Sequence, residues 1–139
     1  MAVETIKADG SAEGVALVAR AFDAFSEGNQ LPGEVAQVAQ VALDEVLSNV
    51  VKAGFEPDAR SRAMDVTFGV ADGDLEIVVS YEGIPFDPLA RHDPDTRAAL
   101  EDRAVGGLGI YLVKKLMDGV NYERIGGANR LRMRKRIRP

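Results

Sequence analysis

The long apolar helix pattern between Pro32 and Gly54 is the feature that most limits how this chain folds. Proline is favoured at the start of a helix and glycine at its end. Between them, apolar side chains recur at helical spacing over most of the circumference: Val35, Val38, Ala39, Val41, Ala42, Val46, Leu47, Val50 and Val51. A helix that is apolar on so many sides is normally covered on more than one of them. The pattern therefore predicts a central, packed helix.

Polar side chains interrupt this helix in two neighbouring stripes. Glu45 and Asn49 are four positions apart in the sequence, so they lie one turn apart with about 5–6 Å between their Cβ atoms. Asp44, Ser48 and Lys52 form the second stripe. Two interpretations stay open here: the polar side faces solvent, or Glu45 and Asn49 belong to a site.

The rest of the chain shows strand and helix patterns in separated groups. Alternation and helical spacing predict, in order, a strand at 3–8, a helix at 11–28, the helix just described, a hairpin at 63–70 and 75–81, a helix after the glycines near 106–109, and strands at 119–125 and 131–137 joined by a loop at 126–129. Such an order favours an α+β fold, with one mixed, mainly antiparallel sheet and helices on one face.

Three glycines, Gly106, Gly107 and Gly109, occupy four positions just before the last apolar helix pattern. Glycine lets backbone N–H groups approach a ligand closely, and a helix N-terminus offers unpaired N–H groups to an anion. The segment predicts a phosphate-binding loop or, alternatively, an ordinary strand-to-helix connection. The preceding stretch, about 89–105, is polar and lacks periodicity, which is typical of a lid or binding loop.

Composition excludes several classes of protein. The chain has 139 residues, no cysteine and one histidine, His92, so we expect one domain without disulfides, thiolate chemistry or a histidine-rich metal site. The net charge of −5 argues against nucleic-acid binding, and we interpret the basic stretch 130–138 as a strand with a solvated cationic face. No apolar run approaches the roughly 20 residues of a membrane helix, and no signal-peptide layout opens the chain, which predicts a cytoplasmic protein.

Three stretches in this order resemble the ATP-binding domain shared by gyrase-type topoisomerases, histidine kinases and MutL-type repair proteins, often called GHKL. The chain is most similar to the anti-sigma factor serine kinases of bacterial partner-switching systems. Their helix motif Glu-x-x-x-Asn is matched by Glu45 and Asn49, their strand exit by Gly-Ile-Pro-Phe-Asp-Pro at 83–88, and their Gly-x-Gly-Ile-x-Leu-Val-x-x-Leu-Met-Asp box by 107–118. The resemblance extends from about residue 11 to 136.

The resemblance implies a two-layer α/β sandwich, the Bergerat-type ATP-binding fold, as a single domain over 1–139 with an ATP lid at about 89–105. It implies ATP and Mg²⁺ as cofactors. Asn49 would then bind Mg²⁺, and Glu45 would be the catalytic base that takes the proton of an attacking serine hydroxyl.

The same resemblance implies a set of nucleotide contacts. These are Asn49, Tyr81, Gly83, Pro85, Gly106, Gly107, Leu108 and Gly109. A lid arginine, Arg97 or Arg103, is a further candidate for contact with phosphate.

Three positions depart from the family pattern. Tyr81 replaces an aspartate whose carboxylate accepts a hydrogen bond from the adenine amino group, Arg132 stands where many relatives have a threonine near the adenine, and Ala53 replaces a frequent histidine. These departures support an alternative, a non-catalytic partner-switch binding protein of the same fold with weakened or lost ATP binding. The retained Glu45 and Asn49 favour the kinase.

The expected partners also follow from the resemblance. They are a sigma factor, which the chain would bind, and an anti-anti-sigma protein of the STAS type, on which it would phosphorylate a serine. Homodimerisation is common in that branch, and the N-terminal strand and helix are candidate contact surfaces. Direct binding to nucleic acid or to a membrane is not expected.

Overall fold

The computed structural model describes residues 2–85 and 107–138, which form five strands and three helices. In chain order the elements are β1 (Ala2–Asp9), α1 (Ala12–Gly28), α2 (Gly33–Ala53), β2 (Ala63–Ala71), β3 (Asp74–Glu82), α3 (Gly107–Leu116), β4 (Gly119–Ile125) and β5 (Ala128–Arg136). The predicted succession of strands and helices is thus confirmed over these residues.

The five strands form one sheet in the order β1-β2-β3-β5-β4, and each neighbouring pair is antiparallel. The expected α+β fold is confirmed, but the described strands include no parallel pair, so the sheet is antiparallel and not mixed. The reason is the position of β5. β3 and β4 run in the same direction, and β5 lies between them as the hairpin partner of β4.

The helices cover one face of the sheet and share a single core with it. In β2 the side chains of Met64, Val66 and Phe68 are completely buried and alternate with more exposed neighbours. Phe22 of α1 packs edge-on against Phe68, with 5.1 Å between the ring centroids. Burial of this apolar face stabilises the fold by about 25 cal/mol for each Å² removed from water.

Helix α2 is the central helix, as its apolar pattern predicts. It packs against α1, α3 and the sheet, and its Leu43 and Leu47 are completely buried. Because α2 lies between the other two helices, its remaining polar side can face a neighbouring element. That side contains Glu45 and Asn49.

The loop expected at 126–129 is shorter than predicted. Gly126 and Gly127 both have positive φ, 55° and 85°, the backbone that a two-residue hairpin turn requires and that glycine adopts without strain. Two residues therefore complete the turn, and Ala128 and Asn129 belong to β5. Asn129 points to the helix-covered face and is only 1% exposed.

Candidate functional site

A narrow cleft lies between α2 and the ends of β3 and β5, with α3 along one side. Its apolar lining consists of Val46, Val50, Ala53, Val79, Ile110 and Leu131. Four polar side chains also face it: Asn49, Tyr81, Tyr122 and Asn129. An apolar cleft with a few converging polar groups is the usual form of a small-molecule site.

Asn49 lies towards one end of the cleft, and Glu45, one turn earlier on α2, lies beside the start of α3. Asn49 lines the cleft, and both side chains are half-buried. Burial raises the pKa of the neighbouring Asp44, and the charges of Glu45 and Asp23 raise it further. Asp44 thus faces Asp23 of α1, whereas Glu45 contacts α3 on the other side of α2.

Gly109, in the first turn of α3, lies directly against the carboxylate of Glu45. A Cβ atom at this position would overlap Oε2 of Glu45, so only glycine permits the approach with Glu45 in this conformation. The first backbone N–H groups of a helix have no acceptor within the helix. Because α3 begins at Gly107, Gly109 belongs to this first turn, and Glu45 lies beside it.

Tyr81 is the last buried residue of β3 and lies at the opposite end of the cleft. It is 9% exposed, and its ring packs against Phe55 with 5.4 Å between centroids. Burial raises the pKa of the Tyr81 hydroxyl, while a hydrogen bond with the Asn129 side chain opposes the shift. The hydroxyl is therefore protonated and able to donate a hydrogen bond at neutral pH.

Asn129 lies directly opposite Tyr81 in the β3–β5 register and is the centre of a buried polar network. Its Oδ1 accepts hydrogen bonds from the Tyr122 hydroxyl at 2.5 Å and from Arg124 at 3.2 Å. Its Nδ2 donates to the carbonyl oxygen of Ile84 at 2.7 Å. These bonds offset the cost of burying an amide.

The same network fixes the segment that leaves β3. Arg124 donates to the carbonyl oxygen of Gly83 at 2.8 Å, and the backbone N–H of Ile84 donates to the carbonyl oxygen of Gly54 at 2.9 Å. A Cβ atom at Gly83 would overlap that Gly54 carbonyl and lie 3.0 Å from the Tyr81 ring. Glycine at position 83 thus allows the strand exit to pack against the end of α2.

A family model described as a histidine kinase-like ATPase domain matches residues 9–135. The chain belongs to this family. The match spans nearly the whole chain, from the end of β1 into β5. Use of ATP is thus a property of the family as well as an expectation from the motifs.

Curated relatives in the histidine kinase-like ATPase family are named as protein kinases. The serine-protein kinase RsbW of Bacillus licheniformis is 32% identical over 90 residues, covering 60% of this chain and 55% of the relative. RsbW of Bacillus subtilis is 30% identical over 94 residues, covering 63% and 57%. The serine/threonine-protein kinase BtrW of Bordetella bronchiseptica is 28% identical over 91 residues, covering 66% and 63%. The chain thus matches little more than half the length of these relatives.

Solved structures show the shared fold. A structure of the RsbU and RsbW domains of a Mycobacterium tuberculosis protein matches with a TM-score of 0.72 and 16% identity, covering 100% of this chain and 34% of that one. The histidine kinase domain of a blue-light activated kinase from Erythrobacter litoralis matches with a TM-score of 0.55 and 18% identity, covering 90% and 60%.

Several of the residues expected at the family's nucleotide site come together in the described structure. Asn49 and Tyr81 line one cleft, and Glu45 lies beside Gly109. Gly83 follows Tyr81 at the strand exit, and Pro85 is the exposed last residue of the first described range. Gly107 and Leu108 form the start of α3.

Other expected contacts fall on residues that the structure does not describe. Gly106, the proposed lid at about 89–105, and its candidate arginines Arg97 and Arg103 lie outside the described ranges, as does part of the matched strand exit. Their roles stay predictions.

The structure corrects the prediction that Arg132 occupies a position near the adenine. Arg132 lies on the outer face of the sheet, where its Nε is 3.5 Å from Oε1 of Glu76. The residues of β5 that line the cleft are Asn129 and Leu131. Ala53 also lines the cleft, so an alanine does occupy the position that a histidine often has in the family.

Sequence reasoning missed Asn129 because it was placed in the loop 126–129. The signal that could have found it is the Gly126-Gly127 pair, which is sufficient for a two-residue turn and puts Asn129 on the inward face of the strand.

Two negative findings apply to the described residues. No helix among them is long and apolar enough to cross a membrane. Over the same ranges, no group of three or more histidine, cysteine, aspartate or glutamate side chains could hold a metal ion.

Proposed function

We propose that this protein is an anti-sigma factor that binds a sigma factor and uses MgATP to phosphorylate a serine of an anti-anti-sigma antagonist of the STAS type. The observation that carries the proposal is the position of Glu45 beside Gly109 at the start of α3. This contact joins a candidate proton acceptor to the segment that would bind phosphate. The kinase names of the relatives support it further.

The start of α3 would bind the triphosphate. Unpaired N–H groups and the partial positive charge of a helix N-terminus favour an anion at this position. Gly107 and Gly109 add no side chains that would keep the phosphates from the backbone. With the phosphates there, the cleft past Asn49 leads the rest of the nucleotide towards Tyr81 and Asn129.

Mg²⁺ fits the donor set at this end of the cleft. Mg²⁺ is usually bound by one or two protein oxygens together with phosphate oxygens and water. The side-chain oxygen of Asn49 would supply the protein ligand, with the carboxylate of Glu45 one turn away on α2. When bound, the ion would offset the charge of the phosphates.

Glu45 would act as the base. Its carboxylate would accept the proton of the serine hydroxyl while the serine oxygen forms a bond to the γ-phosphorus and the bond to the β-phosphate oxygen breaks, which leaves ADP. The carboxylate already lies beside the backbone of α3, so it needs little reorientation for this step.

The partners are inferred from the family resemblance. A sigma factor and a STAS protein remain the expected ones, and homodimerisation through β1 and α1 is a further expectation. We expect these interactions in the bacterial cytoplasm, where sigma factors act. The non-catalytic alternative is not favoured, because the matched relatives are named as kinases and both Glu45 and Asn49 are present.

Calorimetric titration with ATP, with and without Mg²⁺, tests the nucleotide part of the proposal. We expect saturable binding that is tighter with Mg²⁺, and an Asn49→Ala variant that has lost most of this dependence on Mg²⁺. An Asn121→Ala variant, changed at an exposed position of β4, is the matched control. Absence of binding at millimolar ATP would refute the kinase assignment.

A further inference from the structure

Two side chains at the inner end of the cleft can contact the base of a bound nucleotide, and both are uncharged. Tyr81 and Asn129 lie opposite each other on β3 and β5 and both line the cleft. With the phosphates at the start of α3, the base lies at this end. The hydroxyl hydrogen of Tyr122, which also lines the cleft, is donated to Asn129. The hydrogen-bonding capacity left on Tyr81 and Asn129 therefore determines which bases fit.

Most of the hydrogen-bonding capacity of the Asn129 amide is used by other groups of the protein. An amide has two donor hydrogens and an oxygen that accepts two hydrogen bonds. The oxygen accepts from Tyr122 and Arg124, and one hydrogen is donated to the carbonyl of Ile84. One amide hydrogen remains, and Tyr81 is the cross-strand neighbour of Asn129. Asn129 thus has no free acceptor for a base.

The Tyr81 hydroxyl is consequently the group that faces the base. Its ring is held against Phe55 and over Gly54, where a Cβ atom would lie 2.9 Å from the ring edge. A tyrosine hydroxyl has one hydrogen to donate, whether or not its oxygen also accepts a hydrogen bond. Its pKa is raised by burial, so it retains this hydrogen near neutral pH.

We propose that Tyr81, positioned by its packing against Phe55 and Gly54, makes this site accept 6-oxo purine nucleotides about as well as 6-amino purine nucleotides. The inference rests on the proposed nucleotide-binding function and specifies its substrate class. A hydroxyl donor can bond to O6 of a 6-oxo purine or to N1 of adenine. A carboxylate only accepts, so it would favour the 6-amino group and repel O6.

The test is a comparison of MgATP and MgITP, which differ in the base at the 6 position and the N1 proton. Calorimetry on the full chain is expected to give dissociation constants for the two nucleotides within about threefold of each other. This difference in binding free energy is smaller than the usual contribution of one hydrogen bond. The variant Tyr81→Asp is expected to prefer ATP by at least about tenfold. Tyr111→Asp, which adds the same charge on α3, is expected to keep the wild-type ratio.

Failure of this inference and failure of the proposed nucleotide-binding function would give different results. A wild-type preference for ATP of more than about tenfold would overturn the inference and leave nucleotide binding intact. Absence of binding by either nucleotide at millimolar concentration would overturn both. Because the wild-type ratio alone is decisive, a failure of Tyr81→Asp to fold would not affect the result.

Discussion

The carboxylate of Glu45 on α2 and the backbone of Gly109 on α3 are in direct contact, with no room for a Cβ atom between them. This contact joins two segments that lie far apart in the sequence. It places the candidate base beside the start of the helix that would bind phosphate.

Gly109→Ala is expected to lower activity without lowering stability. Alanine is about 1 kcal/mol more favourable than glycine inside a helix, and the carboxylate that must move is the end of a flexible side chain. The free energy of unfolding should therefore stay unchanged or rise slightly. Phosphate transfer should fall at least about tenfold, because Glu45 is displaced.

Urea denaturation and a phosphate-transfer assay on the same preparation measure both effects of Gly109→Ala. Gly33→Ala, at a helical glycine with open space around it, is the matched control and should leave transfer unchanged. Normal transfer by Gly109→Ala would show that the position of Glu45 is not critical.

Asn129→Ala is expected to destabilise the fold by about 2–4 kcal/mol, because it leaves buried partners without their hydrogen bonds. The affected groups are the carbonyl of Ile84 and the hydroxyl of Tyr122. Thermal or urea unfolding provides the measurement. Asn121→Ala, at an exposed position of β4, should change stability little, and equal effects of the two substitutions would contradict the role of the network.

Asp118 is expected to make the free energy of unfolding depend on pH in the acidic range. The backbone N–H of Arg136 donates to its Oδ2 at 2.7 Å, which lowers the pKa of Asp118 below its ordinary value of 3.8, and nearby cationic side chains lower it further. Since the folded-state pKa is the lower one, the stabilisation is complete above the unfolded pKa and is lost as pH falls through the folded pKa.

Unfolding free energies between neutral pH and about pH 3 test this expectation. Asp118→Asn should lower stability near neutral pH and reduce the loss on acidification. Asp58→Asn, at an exposed loop position, should leave the profile unchanged. An identical acid profile in Asp118→Asn and wild type would contradict the assignment.

Local patterns in the sequence were sufficient to predict most of the fold. The apolar spacing of α2 identified a central helix, and the Asp72-Gly73 turn placed the β2–β3 hairpin, because such patterns depend on local geometry. The position of β5 between β3 and β4 could not be predicted in this way. It depends on which strands pair over long distances, and alternation alone does not specify a partner.

The candidate site was predicted in part. Spacing placed Glu45 and Asn49 on one face, but it could not show that Glu45 contacts Gly109, since that contact depends on how α2 and α3 pack. Asn129 was missed because a turn shorter by two residues changes which side chains enter the strand. The side of the sheet that Arg132 faces, by contrast, follows from the alternation that gave 130–138 a solvated cationic face, and the ion pair with Glu76 agrees with it.

Phosphate transfer from γ-labelled ATP to a STAS protein from the same genome, compared between wild type and Glu45→Gln, tests the central claim most directly. Glutamine keeps the shape of the side chain but cannot accept the proton, so we expect transfer to fall at least about a hundredfold while ATP affinity stays within about threefold. Glu34→Gln, an exposed change in the first turn of α2, should transfer normally. Undiminished transfer by Glu45→Gln would contradict the role of Glu45 as the base.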